Sequence, residues 1–296
     1  MAEFLDAKKF LLLTMPQESL SLTGVLRPTF SINILHLCSH LIMVTCDTGD
    51  PSNGSSDMSF TPAKVIRVLR ALKPKNSCVP DGFPCVLLKK TASVLCEPLA
   101  FISCHRLIRI YCRLASVTPV FKKGLTANHN YRPVSLTCVC YCLLERNSKL
   151  LSYLSQHGLI SKCQHRFLCK HSTCTNLWEF VHDWSIALNN KQITGVIHID
   201  FQKAFDSVSR QKLIIKLEGY GICGDMLAWL KAFLSDRTQV VNISNISGYM
   251  SDIVCITSGV PQESVLGPTL FLLFINDIED VLFRTSLRMK LFADDE

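Results

Sequence analysis

Hydrophobic residues recur at helical spacing in several parts of the chain, and each such stretch predicts a helix. The first stretch follows Thr61 and Pro62, which are residue types typical of an N-cap and a first helical position. Val65, Leu69 and Leu72 come next at intervals of three or four residues, as on one face of an amphipathic helix. We therefore predict a helix that begins near Pro62 and ends before the next proline.

The strongest helical pattern lies just after Ser172 and Thr173, either of which can cap the first turn. Its apolar side chains share one face, which we expect to pack against the core. These side chains are Leu177, Phe180, Val181, Trp184 and Leu188. Other helices are predicted through Leu88 and Leu95, over RQKLIIKLEGYG and DMLAWLKAFLSD, and through TLFLLFINDIEDVLF.

Shorter apolar runs with turn residues at their ends predict strands. The run TGVIHID ends at Asp200, and Asp206 is placed to cap the helix that follows. The runs RTQVVNIS and MSDIVCITSG are two further strands, and SLRMKLF leads into Asp294 and Asp295. Helices and strands mixed in this way favour an α+β fold whose sheet is at least partly antiparallel.

The composition indicates a packed protein rather than a disordered one. Of the 296 residues, 48% are hydrophobic and 19% are charged, and this length allows one large domain or two smaller ones. The polar stretch DTGDPSNGSSD has the composition of a flexible linker. We therefore expect a divergent or disordered N-terminal segment with its linker at residues 1–56, and the main domain at residues 57–296.

The charge balance fits a partner that carries phosphates. The net charge is +7 and the isoelectric point is about 8.7, without a concentrated basic tract. The N-terminal stretch carries Glu3 and Asp6 where a signal peptide needs positive charge, and its apolar run is too short. A second candidate span, FSINILHLCSHLIMVTC, is interrupted by Asn33, His36 and His40 and is too short to cross a bilayer. We therefore expect no membrane span and an intracellular location, in the cytoplasm or the nucleus.

Fifteen cysteines raise the possibilities of a disulfide scaffold and of a metal site. The count is odd, the chain is long and no Cys-x-x-Cys pair occurs, so reduced thiols are favoured. The stretch CQHRFLCKHSTC groups its potential ligands in one crowded run instead of two separated pairs, which disfavours zinc. These potential ligands are Cys163, His165, Cys169, His171 and Cys174.

Three carboxylates, Asp200, Asp294 and Asp295, follow predicted strands. Such acids are typical of turns when they occur in isolation. If the two strands are neighbours in one sheet, the carboxylates converge, and protons or cations must then lie between them. Magnesium prefers oxygen ligands, and pairs of such ions promote phosphoryl transfer in polymerases and nucleases. The three acids alone leave both interpretations open.

A series of ordered motifs favours the metal site. VTPVFKKG, YRPVSLT, HIDFQKAFDSV, FLSDRTQVV, TSGVPQESVLGPTLFLLFINDI and LFADD occur in sequence. Their order and spacing resemble those of reverse transcriptases from non-LTR retrotransposons, the LINE-like elements. With PDGFP and LLKK upstream, the resemblance covers about residues 60–296.

The resemblance implies an RNA-directed DNA polymerase built as the fingers and palm of a right hand. It implies a small, mostly antiparallel sheet flanked by helices, and two Mg²⁺ ions bound by carboxylates. The implied partners are an RNA template, a DNA primer and deoxynucleoside triphosphates. The metal-binding and catalytic residues would be Asp200, Asp294 and Asp295.

The same resemblance assigns the residues that bind nucleotide and template. Phe205 stands where the family carries an aromatic ring that crowds the 2′ position of the incoming sugar. Gln262 can both donate and accept hydrogen bonds, and its loop has the Gly and Pro residues that let a backbone approach a ligand. The full set comprises Phe205, Gly259, Pro261, Gln262, Lys122, Lys123 and Arg132.

Two departures from the family pattern bear on activity. Glu263 replaces a glycine and brings negative charge close to the expected nucleotide phosphates. The chain also ends one residue after Asp295, so we expect the thumb to be absent and the domain to be incomplete at its C-terminus. Weak or absent activity is therefore expected. The alternative is a non-catalytic nucleic-acid-binding remnant of a retroelement, whose binding would depend on salt but not on the acids.

Overall fold

The computed structural model forms two compact units, each assembled from separate stretches of the chain. Among the described residues, the first unit comprises 154–207 and 271–292, and the second comprises 61–153 and 208–270. The structure describes residues 61–72, 84–104, 113–121, 131–136, 142, 145–146, 148–192, 194–196, 201, 203–243, 249–262, 264–282 and 289–292. The predicted N-terminal segment and linker at residues 1–56 lie outside these ranges.

Three helices open the second unit: α1 (Pro62–Arg70), α2 (Cys85–Lys90) and α3 (Ala92–Cys104). The helix predicted after Thr61 is confirmed, and the Thr61 hydroxyl accepts a hydrogen bond from the backbone N–H of Lys64 at 3.4 Å. The apolar face of α1 packs against the other two helices. Their shared core contains Val65, Leu69, Leu72, Leu88, Ala92, Cys96 and Ala100.

The single helix predicted through Leu88 and Leu95 is wrong, because the chain breaks between α2 and α3 at Thr91. The Thr91 hydroxyl donates a 2.8 Å hydrogen bond to the Leu87 carbonyl. A threonine side chain that bonds to the backbone in this way competes with the regular helical pattern. The apolar periodicity continues across the break and therefore did not reveal it.

One sheet of four strands completes the framework of the second unit, with β1 at Leu114–Phe121, β2 at Tyr131–Leu136, β3 at Thr238–Val241 and β4 at Val254–Cys255. The strand order is β2-β1-β3-β4. The pairs β1–β2 and β3–β4 are antiparallel, and β1 and β3 are parallel. Within the described part of the chain, the prediction of an α+β fold with a small, mostly antiparallel sheet is confirmed.

Three further helices are α4 (Leu150–Gln156), α6 (Arg210–Gly219) and α7 (Gly224–Leu234), and the last two confirm their predicted positions. Asp206 was expected to cap α6, but this is wrong, because the N-cap is Ser209. Asp206 belongs to the preceding turn. Side chains buried between α6 and α7 include Leu213, Leu217, Met226, Leu230 and Phe233.

Helix α5 (Thr173–Asn189) is confirmed, with Ser172 as its N-cap, but the prediction of its buried face is wrong. Phe180 is buried, whereas Trp184 is 41% exposed and Leu188 is 78% exposed. The buried face instead includes Asn176, whose side chain bonds to the backbone of a neighbouring segment. Polar contacts therefore determine the orientation of the helix, and hydrophobic spacing alone could not predict it.

The last apolar stretch forms two helices, α8 (Gly267–Ile275) and α9 (Ile278–Leu282), where one was predicted. Asn276 lies at the break. Its side chain donates to the Leu159 carbonyl and accepts from the Ser161 N–H, each at 2.8 Å. These bonds hold residues 159–161 beside the break, which explains why the helix does not continue. Across the described ranges, no helix combines the length and the apolar character needed to cross a membrane.

Candidate functional site

The acids expected to bind metal lie outside the described residues, as do both lysines expected in the fingers and the glutamate that replaces the family glycine. The structure shows the chain next to the acids and most of the nucleotide-binding loop. It therefore indicates how neighbouring segments are held in place. The residues outside the described ranges are Asp200, Asp294, Asp295, Lys122, Lys123 and Glu263.

The segment that precedes Asp294 is anchored by a short parallel bridge between Leu291 and Gln164. The Leu291 carbonyl accepts from the His165 N–H at 3.0 Å, and the Leu291 N–H donates to the Cys163 carbonyl at 2.8 Å. The described part of the predicted strand SLRMKLF thus forms a single bridge instead of an extended strand pairing. Its backbone is nevertheless fixed three residues before the first aspartate of the pair.

Lys290 adds charged contacts to the same anchor. Its ammonium group donates to the Glu179 carboxylate and lies 3.9 Å from Asp183. The bond from Lys290 lowers the pKa of Glu179. His165 is buried, which lowers the pKa of its imidazole, and its Nε2 is 3.5 Å from Glu179. Helix α5 therefore supplies the acids that hold residues 289–292.

In the run of cysteines and histidines at residues 163–174, Cys163, His165 and His171 have hydrogen-bond partners within the protein. The Cys163 thiol donates to Glu279 at 3.2 Å, and burial with this contact raises its pKa to about 11. His165 Nδ1 lies 3.1 Å from the Thr175 hydroxyl, and His171 Nδ1 lies 3.0 Å from a backbone carbonyl. A cysteine binds zinc as the thiolate, which the raised pKa of Cys163 opposes. No group of three or more potential metal ligands occurs among the residues that the structure describes.

Aromatic packing fixes the chain that follows Asp200. Phe201, the next residue, meets the Phe271 ring edge-on at a centroid distance of 6.3 Å. Phe205 stacks on the same ring at 5.0 Å with an angle of 30° between the planes. Phe205 is half-buried, so part of its ring is accessible. The residue expected to discriminate the sugar is thus braced by α8.

Gly259, Pro261 and Gln262 lie together in one loop, residues 256–266, which we call the Gly-Pro loop. Gly259 has φ of +81°, a left-handed conformation that favours glycine. Its N–H donates to the Val208 carbonyl at 2.9 Å. Gln262 is half-buried in a turn. The structure therefore brings three of the predicted nucleotide-binding residues together.

A serine closes the turn of the Gly-Pro loop and leads it into α8. The Ser264 hydroxyl donates to the Pro261 carbonyl and accepts from the Gly267 N–H, both at 2.8 Å. A Cβ added to Gly267 would fall against the Pro261 carbonyl oxygen and lie 2.8 Å from Ser264 Oγ. Glycine is required here because the loop backbone packs directly on the first helical residue.

Arg210, at the start of α6, binds the entrance of the Gly-Pro loop, and the sequence had not indicated this. Its guanidinium donates to the carbonyls of Ile256 at 2.7 Å, Gly259 at 3.0 Å and Ser258 at 3.1 Å. Burial, with a smaller contribution from the charge of Arg237, lowers the pKa of Arg210. Arginine nevertheless stays protonated in proteins and can supply all three donors.

Glu145 binds the exit of the same loop and was likewise missed. Its side chain is almost fully buried, and Oε2 accepts from the Leu266 N–H at 2.8 Å. Burial raises its pKa to about 7, although bonds from the Leu266 and Val265 N–H groups oppose the rise. A single glutamate that follows an apolar run and precedes polar residues gives no sequence signal of this role.

Arg132 is the remaining predicted contact for which the structure gives a backbone position. It lies in β2 opposite Val120 of β1. At the end of the same pairing, Phe121 meets Tyr131 with their rings 5.4 Å apart. Lys122 follows β1 directly in the sequence. Strand pairing thus brings the chain on either side of the expected finger lysines together.

Residues 120–296 match the family model described as "Reverse transcriptase (RNA-dependent DNA polymerase)". The match covers more than half of the chain and includes Asp200, the Gly-Pro loop and the Asp294–Asp295 pair. The chain belongs to this reverse transcriptase family. Members of the family generally use divalent metal ions.

Similar proteins place this reverse transcriptase domain among those of mobile elements. It is 33% identical to the RNA-directed DNA polymerase from mobile element jockey of Drosophila melanogaster, over 61% of this chain and 20% of that protein. It is 30% identical to the probable RNA-directed DNA polymerase from transposon BS of the same organism, over 56% of this chain and 18% of that protein. The resemblance to non-LTR reverse transcriptases is confirmed. The chain spans about a fifth of the length of these relatives.

A third relative and one solved structure are also similar to parts of this chain. The probable RNA-directed DNA polymerase from transposon X-element of Drosophila melanogaster is 27% identical over 62% of this chain and 20% of that protein. A solved structure titled "Partial Cas6-RT-Cas1--Cas2 complex" has 16% identity and a TM-score of 0.44, over 82% of this chain and 38% of that chain.

Proposed function

We propose that residues 57–296 are a domain that adds deoxynucleotides to a primer 3′-hydroxyl, copying an RNA template. The observation that carries the proposal is the match over residues 120–296, which contains all three candidate metal-binding acids in the expected order. The expected substrates are deoxynucleoside triphosphates, and pyrophosphate is released. A primer and a template complete the set of partners.

The donor set fits two Mg²⁺ ions, because Asp200, Asp294 and Asp295 offer the oxygen ligands that this cation prefers. When bound, such ions activate the attacking hydroxyl and stabilise the leaving oxygen. The residues of the chain then have separate tasks. Phe205 restricts space at the sugar 2′ position, and the Gly-Pro loop presents Gln262 to the nucleotide. Lys122, Lys123 and Arg132 attract phosphates.

Glu263 weakens this function in the present sequence, since a carboxylate next to Gln262 repels a triphosphate. A purified protein should extend a primer slowly on an RNA template in the presence of Mg²⁺. The variant Glu263→Gly should extend it faster, because the repulsion is removed. The double variant Asp294→Ala, Asp295→Ala should show no extension while it still binds the nucleic acid.

Extension that persists in the Asp294→Ala, Asp295→Ala protein would refute the metal assignment. If neither the parent nor Glu263→Gly extends a primer, and binding is intact and falls with salt, the non-catalytic nucleic-acid-binding alternative is correct. Binding through phosphates alone depends steeply on salt and is indifferent to the acids. The salt series therefore separates a catalytic failure from a folding failure.

A further inference from the structure

The Gly-Pro loop is held at its two ends by different charged side chains. At its entrance, three carbonyls converge on the guanidinium of Arg210 at distances of 2.7 to 3.1 Å. At its exit, the Leu266 N–H donates to the buried carboxyl of Glu145. Between these ends lie Pro261 and Gln262, the residues expected to contact nucleotide.

The entrance depends on Arg210 in a way that no other side chain described for this loop reproduces. The three carbonyls come from a stretch of four residues, and one planar group with five donors matches that arrangement. Two backbone bonds assist: Gly259 N–H donates to Val208 at 2.9 Å, and Ile256 N–H donates to the Arg237 carbonyl at 2.8 Å. A lysine could keep the charge but could not span the same carbonyls.

Resting on the proposed function, we propose that Arg210 is a positioning residue that sets nucleotide affinity by fixing the entrance of the Gly-Pro loop. It acts through the loop and does not itself touch the substrate. Loss of the guanidinium lets residues 256–262 move, so the nucleotide meets an unformed site. Because the guanidinium binds backbone carbonyls of the loop, the chemical step should be less affected than nucleotide binding.

The test compares Arg210→Lys and Arg210→Gln with the parent and with Arg70→Ala, which removes an exposed arginine at the end of α1. In primer extension, both Arg210 variants should raise the KM for deoxynucleotide by about tenfold, the scale of one or two lost charge-assisted hydrogen bonds. Their kcat should change much less. Arg70→Ala should match the parent. A normal KM in Arg210→Lys would show that only positive charge matters, which would overturn the proposal.

Hydrogen exchange of the free proteins provides a second readout that needs no activity. The Ile256 and Gly259 amides should exchange faster in both Arg210 variants, whereas the Leu266 amide, which Glu145 holds separately, should keep its protection. Unchanged exchange at these two amides would overturn the proposal. Thermal melting identifies a variant that has failed to fold, and Arg210→Lys, the milder change, then decides the outcome.

The two readouts separate this inference from the proposed function. If the parent extends no primer, the proposed function fails, and exchange is measured with deoxynucleoside triphosphate, Mg²⁺ and primer–template. Protection of residues 256–262 by nucleotide in the parent, lost in Arg210→Lys, supports the positioning role even then. A loop that nucleotide does not protect in the parent overturns it.

Discussion

Glu145 shows how one buried residue couples the loop structure to pH. Its pKa of about 7 lies above the ordinary value of 4.5 because burial disfavours the charged form. Between these values the folded protein holds a proton that the unfolded chain has released. The raised pKa of Glu145 therefore stabilises the folded protein fully below about pH 4.5, and this stabilisation is lost as the pH rises through about 7.

Glu145→Gln should remove this pH dependence, since an amide keeps an acceptor oxygen for Leu266 and carries no charge. We expect the free energy of unfolding of the parent to fall by roughly 2 kcal/mol more than that of the variant between about pH 5 and about pH 8. Urea unfolding at both pH values measures the difference. Glu97→Gln, a change of an exposed acid on α3, should behave like the parent. Equal slopes for all three proteins would contradict the burial argument.

The residues that sequence analysis missed share a physical feature. Arg210 and Glu145 act through backbone partners 49 and 121 positions away, respectively. A single arginine at the start of a helix, or a single glutamate between apolar and polar residues, forms no periodic pattern that would indicate such a partner. Gly259, Pro261 and Gln262 could be singled out because they form a recognisable motif, and the structure places them in one loop.

Among the helices, α5 begins with a capping box and contacts residues 289–292, the segment that precedes Asp294 and Asp295 in the sequence. The Ser172 hydroxyl accepts from the Thr175 N–H at 3.2 Å, and the Thr175 hydroxyl accepts from the Ser172 N–H at 2.8 Å. The same Thr175 hydroxyl lies 3.1 Å from His165. The first turn of α5 is therefore fixed where its side chains meet residues 289–292.

Ser172→Ala should destabilise the protein by about 1 kcal/mol, the typical effect of losing an N-cap. Ser185→Ala is a matched control on the same helix, because the Ser185 hydroxyl donates to the Val181 carbonyl of that helix and, among the described residues, is not part of the cap. That control should change stability by less than about 0.5 kcal/mol. Equal effects in chemical denaturation would show that the capping box contributes nothing specific.

The spacing of apolar residues predicted most helices. It did not predict two helix breaks or the buried face of α5. Helices α1, α6 and α7 begin and end near the predicted residues because apolar spacing and local breakers agree there. The breaks at Thr91 and Asn276 depend on side chain to backbone bonds, which a hydrophobic pattern does not contain. The buried face of α5 depends on polar contacts with Leu291 and Lys290 in the same way.

For the whole molecule, the order of motifs predicted the family. The structure adds the contacts that fix segments next to those motifs. The parallel bridge at Leu291 and the packing of Phe201 against Phe271 anchor the chain near Asp294 and near Asp200. The proposal that these acids, distant in the sequence, form one metal site is a separate claim. Residues close to the acids in the sequence have defined partners, whereas the acids themselves lie outside the described residues.

Binding of Mn²⁺ followed by electron paramagnetic resonance tests that claim most directly, since it requires no turnover. The parent is compared with Asp200→Asn, with Asp294→Asn, Asp295→Asn, and with the triple variant, all with primer–template and nucleotide present. Asp252→Asn, an exposed acid before β4, is the control. We expect Asp200→Asn and the double variant to lose the same bound Mn²⁺, and the triple variant to lose no more. Independent, additive losses, or retention of the ion in either variant, would contradict a shared site.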